Sequence, residues 1–497
     1  MSMLALDPRT PILIGSGQNV QRCDNVLEAL DPASMMADAI RAAALDAGLS
    51  TVPNPDSVRV VSLLSWRYGD PAFVVAQQLG LSPREIAAST MGGNTPQSLV
   101  NVTALQIQRG ELDLAYITGA ECSRTRSRAK KQGIEIDWPK APTEQMPTVL
   151  GADLAMSHPE ERSRGIVAPV QIYPMFETAI RAAAGRTVAE QQVVASELWA
   201  AFSRVAEANP NAWLRRAQSA EEIRTAGPAN RMIGFPYPKS MNSNNDVDMG
   251  AALIMCSVEK AQLLGVPRDR WIFIHSGTDC HEHNFVSNRD TFARTPAIEI
   301  GGRLAMNLAG VGIDDISIID LYSCFPSAVQ LGAQSLGLSL DRQLTRTGGL
   351  SFAGGPWNNY VMHAIATVMN DLRAAPAETG LVWGNGGYAT KHAFGVYSAS
   401  PPTSSYRYGY PQDEIDALPR RELASIEAAA GLATIEAYTV MHSRAGEPET
   451  ALAACLLADG RRAWATSTAT DVAVTMCEGE WVGHAVTLDR DGMLRLE

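Results

Sequence analysis

Apolar positions along this chain fall into short buried-strand runs and helical stripes, and the two alternate. Pro11 to Gly15 is an apolar run of strand length, and Asp31 to Leu49 has helical spacing with Pro in its first turn and Gly near its end. Val58 to Leu64 reads as the next strand, and Pro71 to Leu79, stopped at Gly80, as the next helix. A Gly-Gly turn at Gly92 and Gly93 then opens a helix predicted over residues 95–109. Leu112 to Thr118 is a strand ending at Gly119. The order is βαβαβ.

The pattern then recurs. Trp271 to His275 reads as a strand, Pro296 to Leu308 as a helix, Ile316 to Tyr322 as a strand and Pro326 to Leu336 as a helix. A second Gly-Gly turn, Gly354-Gly355, opens a buried helix that runs through Ala366 to Arg373, and Leu381 to Trp383 closes the series. Leu79-Gly80-Leu81 matches Leu336-Gly337-Leu338 at an offset of 257, and the Gly-Gly pairs match at 262, a drift of one short insertion. A shared order of elements at nearly constant offset implies a duplicated half. The predicted fold class is α/β, with two such halves, each a mixed five-stranded sheet flanked by helices.

Three segments depart from the repeat. Residues 122–245 are basic at 124–131, rich in Pro, Trp and Met, and helical around 175–208, an inserted lobe of the kind that carries binding contacts. Met249 to Met255 returns to a buried strand. The stretch rich in Pro, Ser and Tyr between 399 and 422 reads as a linker. Beyond it, residues 433–442, 450–457, 462–466 and 481–488 are short alternating strands, a small antiparallel barrel. The domains are therefore read as 1–265 with the lobe inside it, 266–400, a linker 401–422, and a barrel 423–497.

Composition narrows the function. At 497 residues, 46% apolar and 19% charged, the chain has the makings of a large α/β protein of two or three domains. A net charge of −12 disfavours nucleic acid as a partner, since phosphate binding needs basic surface. Seven scattered cysteines without a Cys-x-x-Cys pair suggest reduced thiols rather than a disulfide or zinc framework. The N-terminal stretch from Met1 to Gly15 lacks a leader's basic and long apolar regions, and no apolar run reaches membrane length. The expectation is a cytoplasmic protein with no membrane contact.

Several motifs resemble one family. Ile107-Gln108-Arg109-Gly110 followed by Ile117-Thr118-Gly119-Ala120-Glu121 resembles the thiolase signature, in which a nucleophilic Cys begins a buried helix ending in Ile-x-x-Gly. Asp320-Leu321-Tyr322-Ser323-Cys324-Phe325 resembles the His-Asp-Cys-Phe segment of the sterol-carrier type of thiolase. Ala353-Gly354-Gly355-Pro356 is similar to its Gly-His-Pro, and Trp383-Gly384-Asn385-Gly386-Gly387 to its Cys-x-Gly-Gly-Gly. This resemblance covers residues 8 to about 398. The tail from Gly431 to Val440 resembles the OB-fold module that accompanies thiolase-like proteins. The whole chain resembles thiolase-like protein type 1, a group named acetyl-CoA acetyltransferase by homology.

The resemblance implies a duplicated five-layer fold, a coenzyme A thioester as substrate or ligand, no covalently bound cofactor, and a place in acyl-CoA metabolism. It also implies a dimer through the strand Leu112 to Thr118, with a monomer as the alternative and a protein partner at the C-terminal barrel. By the family spacing, the nucleophile falls on Gly93, the Gly-His-Pro base on Gly355, the second Cys on Trp383 and the His of His-Asp-Cys-Phe on Tyr322. Ordinary thiolysis needs an activated thiolate, so acyltransferase-like chemistry without Cys, retro-aldol cleavage of a β-hydroxyacyl-CoA and silent CoA binding all stay open.

Candidate groups follow from these positions. Helix N-termini at 93–97 and 355–359 are suited to a thioester oxygen, and the alternative is that the glycines serve close packing. Tyr322 and Tyr388 are the acid–base candidates and His392 a general base, with pocket lining as the plainer role. Gly93, Asn94, Cys324, Gly355, His363 and Gly387 complete the expected cleft. Arg124, Arg126, Arg128 and Lys130, with Lys131, are the cations placed to meet the coenzyme's phosphates, or else a solvated run. His281-Glu282-His283 is too sparse for a metal site, and none is assigned.

Overall fold

The computed structural model describes residues 6–425 and 428–496. Residues 1–5, where the reading of the N-terminus begins, and Glu497, the last residue of the expected barrel, lie outside that range. The first half carries β1 (Pro11–Val20), α1 (Pro32–Asp46), β2 (Ser57–Val60), α2 (Pro71–Leu79), β3 (Glu85–Ser89), α3 (Thr95–Gln108) and β4 (Leu114–Cys122). The lobe adds α4 (Ser123–Gln132), β5 (Thr148–Leu150), α5 (Pro169–Ala183) and α6 (Val188–Ala208) before β6 (Asp248–Ser257) rejoins the sheet. The predicted helical stretch over 175–208 is two helices. Gly185 turns left-handed at φ 65°, and Thr187 and Glu190 form a capping box that starts the second.

The second half is β7 (Ile272–His281), α7 (Pro296–Ala309), β8 (Ile318–Leu321), α8 (Pro326–Leu336), α9 (Tyr360–Ala374), β9 (Thr379–Gly386) and β10 (Lys391–Ser398). The duplication is plain in the pairing. In the first half β2 runs parallel to β4, which is antiparallel to β6, itself antiparallel to β1. In the second β8 runs parallel to β9, antiparallel to β10, antiparallel to β7. The matched Leu-Gly-Leu motifs end α2 and α8 identically, with Gly80 and Gly337 left-handed at φ 65° and 70° and Leu81 and Leu338 donating back to Ala76 and Ala333.

The second half is one strand shorter than the first. At the place of β3 it has only Leu344, whose carbonyl accepts from the Leu321 N–H at 2.9 Å. The two halves join where Ile12 and Leu13 pair with Phe273 and Ile272, giving a continuous eleven-stranded sheet. Helices α3 and α9 pack on strands of both halves and form the middle of five layers, with α1 and α2 outside one half and α7 and α8 outside the other. Gly15 and Gly17 let α1 settle on β1, since a Cβ on either would come within 2.1 Å of the Ala43 or Ala39 carbonyl oxygen.

The strand through which the resemblance implied a dimer, Leu112 to Thr118, falls largely in β4, which has β2 on one side and β6 on the other and so offers no free edge. The edge strand is β3, and the chain covers it with its own β5, paired in parallel through Ala87–Thr148, Ala88–Val149 and Ser89–Leu150. The segment read as a linker is ordered too. Arg407–Gly409 pairs with β7, and Tyr406 is buried.

Among its described residues the C-terminal domain has five strands where four were expected: β11 (Gly431–His442), β12 (Pro448–Leu457), β13 (Arg462–Ser467), β14 (Ala485–Leu488) and β15 (Leu494–Leu496), with α10 (Thr470–Glu478) after β13. A parallel bridge from Thr466 to Met493 closes the sheet on itself. Met232–Gly234 of the lobe pairs with β11, and buried Arg462 donates to the Val286, Ser287 and Arg289 carbonyls of the core. Among the described residues, no helix is long and apolar enough to cross a membrane.

Candidate active site at the first Gly-Gly turn

The two Gly-Gly turns face one another across the middle layer, tied by Asn358. Its side chain accepts from the Gly92 N–H at 3.1 Å and donates to the Ser62 carbonyl at 2.7 Å. Gly92 and Gly354 both have positive φ, 151° and 109°, so the first glycine of each pair is required by the backbone. The second glycines differ. A Cβ on Gly93 would lie 2.5 Å from the Tyr322 hydroxyl and 2.5 Å from the Asn385 carbonyl oxygen, so the volume of a residue-93 side chain is occupied by Tyr322. A Cβ on Gly355 would meet the tip of the Asn245 side chain at 2.7 Å.

Tyr322 therefore stands at the mouth of α3. Burial holds its phenol protonated well above the ordinary tyrosine range, with Cys324 and Tyr360 adding to the shift. The residue is 8% exposed, and its hydroxyl carries no hydrogen bond among the described residues. Cys324 is buried two residues on, its thiol pushed up to about 12 by desolvation, next to the Tyr173 hydroxyl. Such a thiol is a poor source of thiolate.

Tyr173, which sequence reasoning did not single out, comes from α5 of the lobe. Its hydroxyl accepts from the Asn385 side chain at 2.9 Å and the Ala389 N–H at 3.0 Å, and donates to the Gly387 carbonyl at 3.1 Å. Gly387 is left-handed at φ 70° and lies under Met156, and Tyr388 is covered beside Ser157. Burial raises the Tyr388 phenol as well. The lobe thus closes over the loop holding Gly387 and Tyr388.

The second turn is packed rather than open. The helix expected from 355 begins at Tyr360, after a 3₁₀ turn at Trp357–Asn359, and the Gly355, Trp357 and Asn359 N–H groups bond to Asn244, Gly355 and Pro356. They are not available to an oxyanion. His363 of α9 matches Asn101 of α3, and the two reach crosswise. Asn101 donates to Asp279 of β7 at 2.8 Å, and His363 Nδ1 meets the Gln18 side chain of β1 at 2.8 Å. Desolvation lowers His363 to about 4, so it stays neutral.

A cavity of about 340 Å³ opens beside the first turn, within the size range of small-molecule sites. One stripe of α3, Asn94, Ser98, Val102 and Leu105, lines it, and Leu150 and Leu154 add apolar wall. Its polar end is Asn94, Ser98, Asp279 and Lys391, with Tyr408 and Tyr410 from the segment read as a linker. The Asn94 Oδ1 is buried without a partner. Burial raises the Asp279 carboxyl, against hydrogen bonds from Asn101, Ser98 and Tyr408. A larger hollow of about 1030 Å³ lies between α6 and residues 340–346, where Arg346 pairs with Asp371 and Arg342 bonds backbone carbonyls.

His392 borders this cavity, but its ring turns away from it toward Trp383. Its ring is fully buried, receives the Trp383 indole N–H at 3.3 Å, and is lowered to about 3 by desolvation and the nearby Arg289. Trp383 packs on Gly332 of α8, in the outer layer, so Trp383 and His392 both face away from α3. Lys391, one residue earlier, faces the cavity instead, as strand alternation requires. The cations of α4 are also elsewhere. Arg124 and Arg128 bond the Cys23 carbonyl, Arg126 bonds that of Ser65, and Lys130 and Lys131 are exposed. A sequence signal for the missed residues existed in Asp279, an acidic position in a buried strand, and in the alternating tyrosines 408 and 410.

Comparison with known proteins agrees with this architecture. Residues 411–493 match the family described as thiolase-like protein type 1 additional C-terminal domain. The chain is similar over 99% of its length, and all of the other's, to the crystal structure of a monomeric SCP2-thiolase-like protein type 1 from Mycobacterium smegmatis, at 30% identity and a TM-score of 0.84. It shares its fold, at 17% identity and a TM-score of 0.61, with the Ltp2-ChsH2(DUF35) aldolase, covering 79% of this chain and 98% of that one. The dimeric peroxisomal thiolase of Saccharomyces cerevisiae is similar in fold at 14% identity and a TM-score of 0.57, over 80% and 99% of the chains. No curated protein matches.

Proposed function

The chain belongs to the thiolase-like protein type 1 family of the thiolase superfamily, and on that premise we propose that it binds a coenzyme A thioester and works on it without an acyl-enzyme. The observation carrying this is the Tyr322 hydroxyl in the volume where a residue-93 nucleophile would project. A protonated, unbonded phenol at the start of α3 supplies a hydrogen bond to a thioester oxygen, and supports an enolate as charge develops there. It supplies no carrier for an acyl group. Cleavage of a carbon–carbon bond next to the thioester, as in a retro-aldol reaction of a β-hydroxyacyl-CoA, needs such acid–base support and no carrier, so it is favoured over acyl transfer. The aldolase of similar fold is consistent with this only at the level of fold.

Tyr322 is the proposed acid, and the cavity beside α3, floored by Asn94 and Asp279, the proposed place of the acyl portion. Tyr388, buried beside Ser157 and under the lobe, is assigned to shaping the loop behind it. Of the cations proposed for the coenzyme's phosphates, Arg126, Lys130 and Lys131 are exposed. The edge strand β3 covered by β5 supports a monomer, which light scattering checks.

The test is to incubate the protein with acetyl-CoA, acetoacetyl-CoA and a β-hydroxyacyl-CoA, following free thiol and carbonyl product separately. Carbonyl formation that drops about a hundredfold in Tyr322→Phe supports the lyase. Thiol release through a trappable acyl-enzyme overturns it. Binding without turnover leaves a silent CoA-binding protein, and no binding at all removes the reading.

A further inference from the structure

Lys391 is the cationic side chain lining the cavity, and the proposed acid chemistry does not use it. It starts β10 opposite His281, and the Ala393–Asp279 pairing makes Asp279 its diagonal neighbour on the face turned to α3. Its ammonium end reaches back to the first Gly-Gly turn, where Nζ donates to the Met91 carbonyl, and a Cβ on Gly92 would come within 3.1 Å of Cε and Nζ. The residue is 5% exposed and lines the cavity. Among the described residues no carboxylate stands within ion-pairing distance. Lysines so deeply buried without a paired charge are rare, because a desolvated ammonium is costly. Burial lowers this amine from its ordinary range, partly offset by Asp153, the direction that favours an amine nucleophile.

We propose that Lys391 is a nucleophile and that the cavity takes an aldehyde or ketone with a short apolar chain, held as a Schiff base. The Lys391 amine adds to the carbonyl carbon, and a proton moves from nitrogen to oxygen to give a carbinolamine. The Asp279 carboxyl, in its acid form, gives its proton to the departing hydroxyl. Water leaves, an iminium forms between Lys391 and the carbonyl carbon, and Asp279 is left as carboxylate. Val102, Leu105 and Leu150 fit the carbonyl compound's apolar chain. The inference rests on the cavity being a substrate site, as read above, but neither step needs coenzyme A.

The chain offers a small set of competitors: its lysines are Lys130, Lys131, Lys140, Lys239, Lys260 and Lys391. Full-length protein is incubated with propionaldehyde at low concentration, reduced with borohydride, and mapped by peptide mass. The expected result is a propyl adduct on Lys391 at about tenfold or more over any other lysine. Lys391→Arg, checked by thermal melting for an intact fold, loses that adduct and leaves background labelling elsewhere unchanged. Asp279→Asn slows labelling of Lys391 alone. Adducts confined to the exposed lysines overturn the proposal, and equal labelling in Asp279→Asn overturns the role of the acid. Thioester turnover with Lys391 unlabelled sinks this inference alone. Labelling without any CoA-ester binding sinks the functional reading alone.

Discussion

Gly93 and Gly355 occupy matching places in the two halves, yet one abuts a tyrosine, with the next residue, Asn94, lining a cavity, and the other faces packed asparagines. Their backbones are alike, since each follows a glycine at positive φ and precedes a helix of the middle layer. What differs is what the rest of the chain brings up to them. Tyr322 and Asn385 press on Gly93, whereas Asn244 and Asn245, at the end of the lobe, close Gly355. Duplication therefore fixed the scaffold twice, and the long-range neighbours made one copy a site and the other a joint.

That contrast can be attacked at several points. His363 of the second helix is the counterpart of Asn101 in the first, and His363→Asn makes the two alike. In the folded protein His363 protonates only near 4, whereas in the unfolded chain it protonates near its ordinary 6.5. The unfolded state thus binds more protons between those values, and stability falls as pH falls from 6.5 to 4. Removing the imidazole should relieve about 3 kcal/mol of that loss, read from urea unfolding at the two pH values. An unchanged pH profile would mean that His363 is solvated, and the second turn open after all.

Gly93→Ala should cost about 2–3 kcal/mol, because its Cβ meets a carbonyl oxygen that cannot move without its strand. Gly355→Ala should cost less than about 1 kcal/mol, since the Asn245 side chain can swing aside. Equal costs in thermal melts would erase the asymmetry between the turns. The smallest effect is expected of Tyr322→Phe, which removes a hydroxyl that makes no hydrogen bond and should change stability by under about 0.5 kcal/mol. A loss of more than about 1.5 kcal/mol would show that the hydroxyl is structural, and would take Tyr322 out of the proposed chemistry.

Much of the layout around the first turn can be read from residue order, and His392 shows where such reading stops. Asn94 and Tyr322 lie where the motifs indicated, because short motifs at strand ends and helix starts carry their geometry with them. His392 borders the cavity, but its ring points the opposite way from Lys391. Every residue of β10 is buried, so apolar and polar positions do not alternate along it, and nothing local says which of Lys391 and His392 looks toward α3. The Arg124–Lys130 run misled for a related reason. A cluster of cations in sequence says nothing of the Cys23 and Ser65 carbonyls that take them up. Tyr408 was hidden in a Pro- and Ser-rich segment whose pairing with β7 depends on a strand well over a hundred residues earlier.

By itself the sequence determined the duplicated α/β halves, the Gly-Gly turns, the Leu-Gly-Leu helix ends and the C-terminal β domain, because each follows from local periodicity and from backbone angles that few residues accept. Tertiary structure alone decided that Tyr322 fills the place of a residue-93 side chain, that the Lys391 side chain and not the His392 ring turns toward α3, and that β5 covers the sheet edge. These are contacts between segments far apart in the chain, set by how doubly buried layers stack, and local propensity carries no record of them.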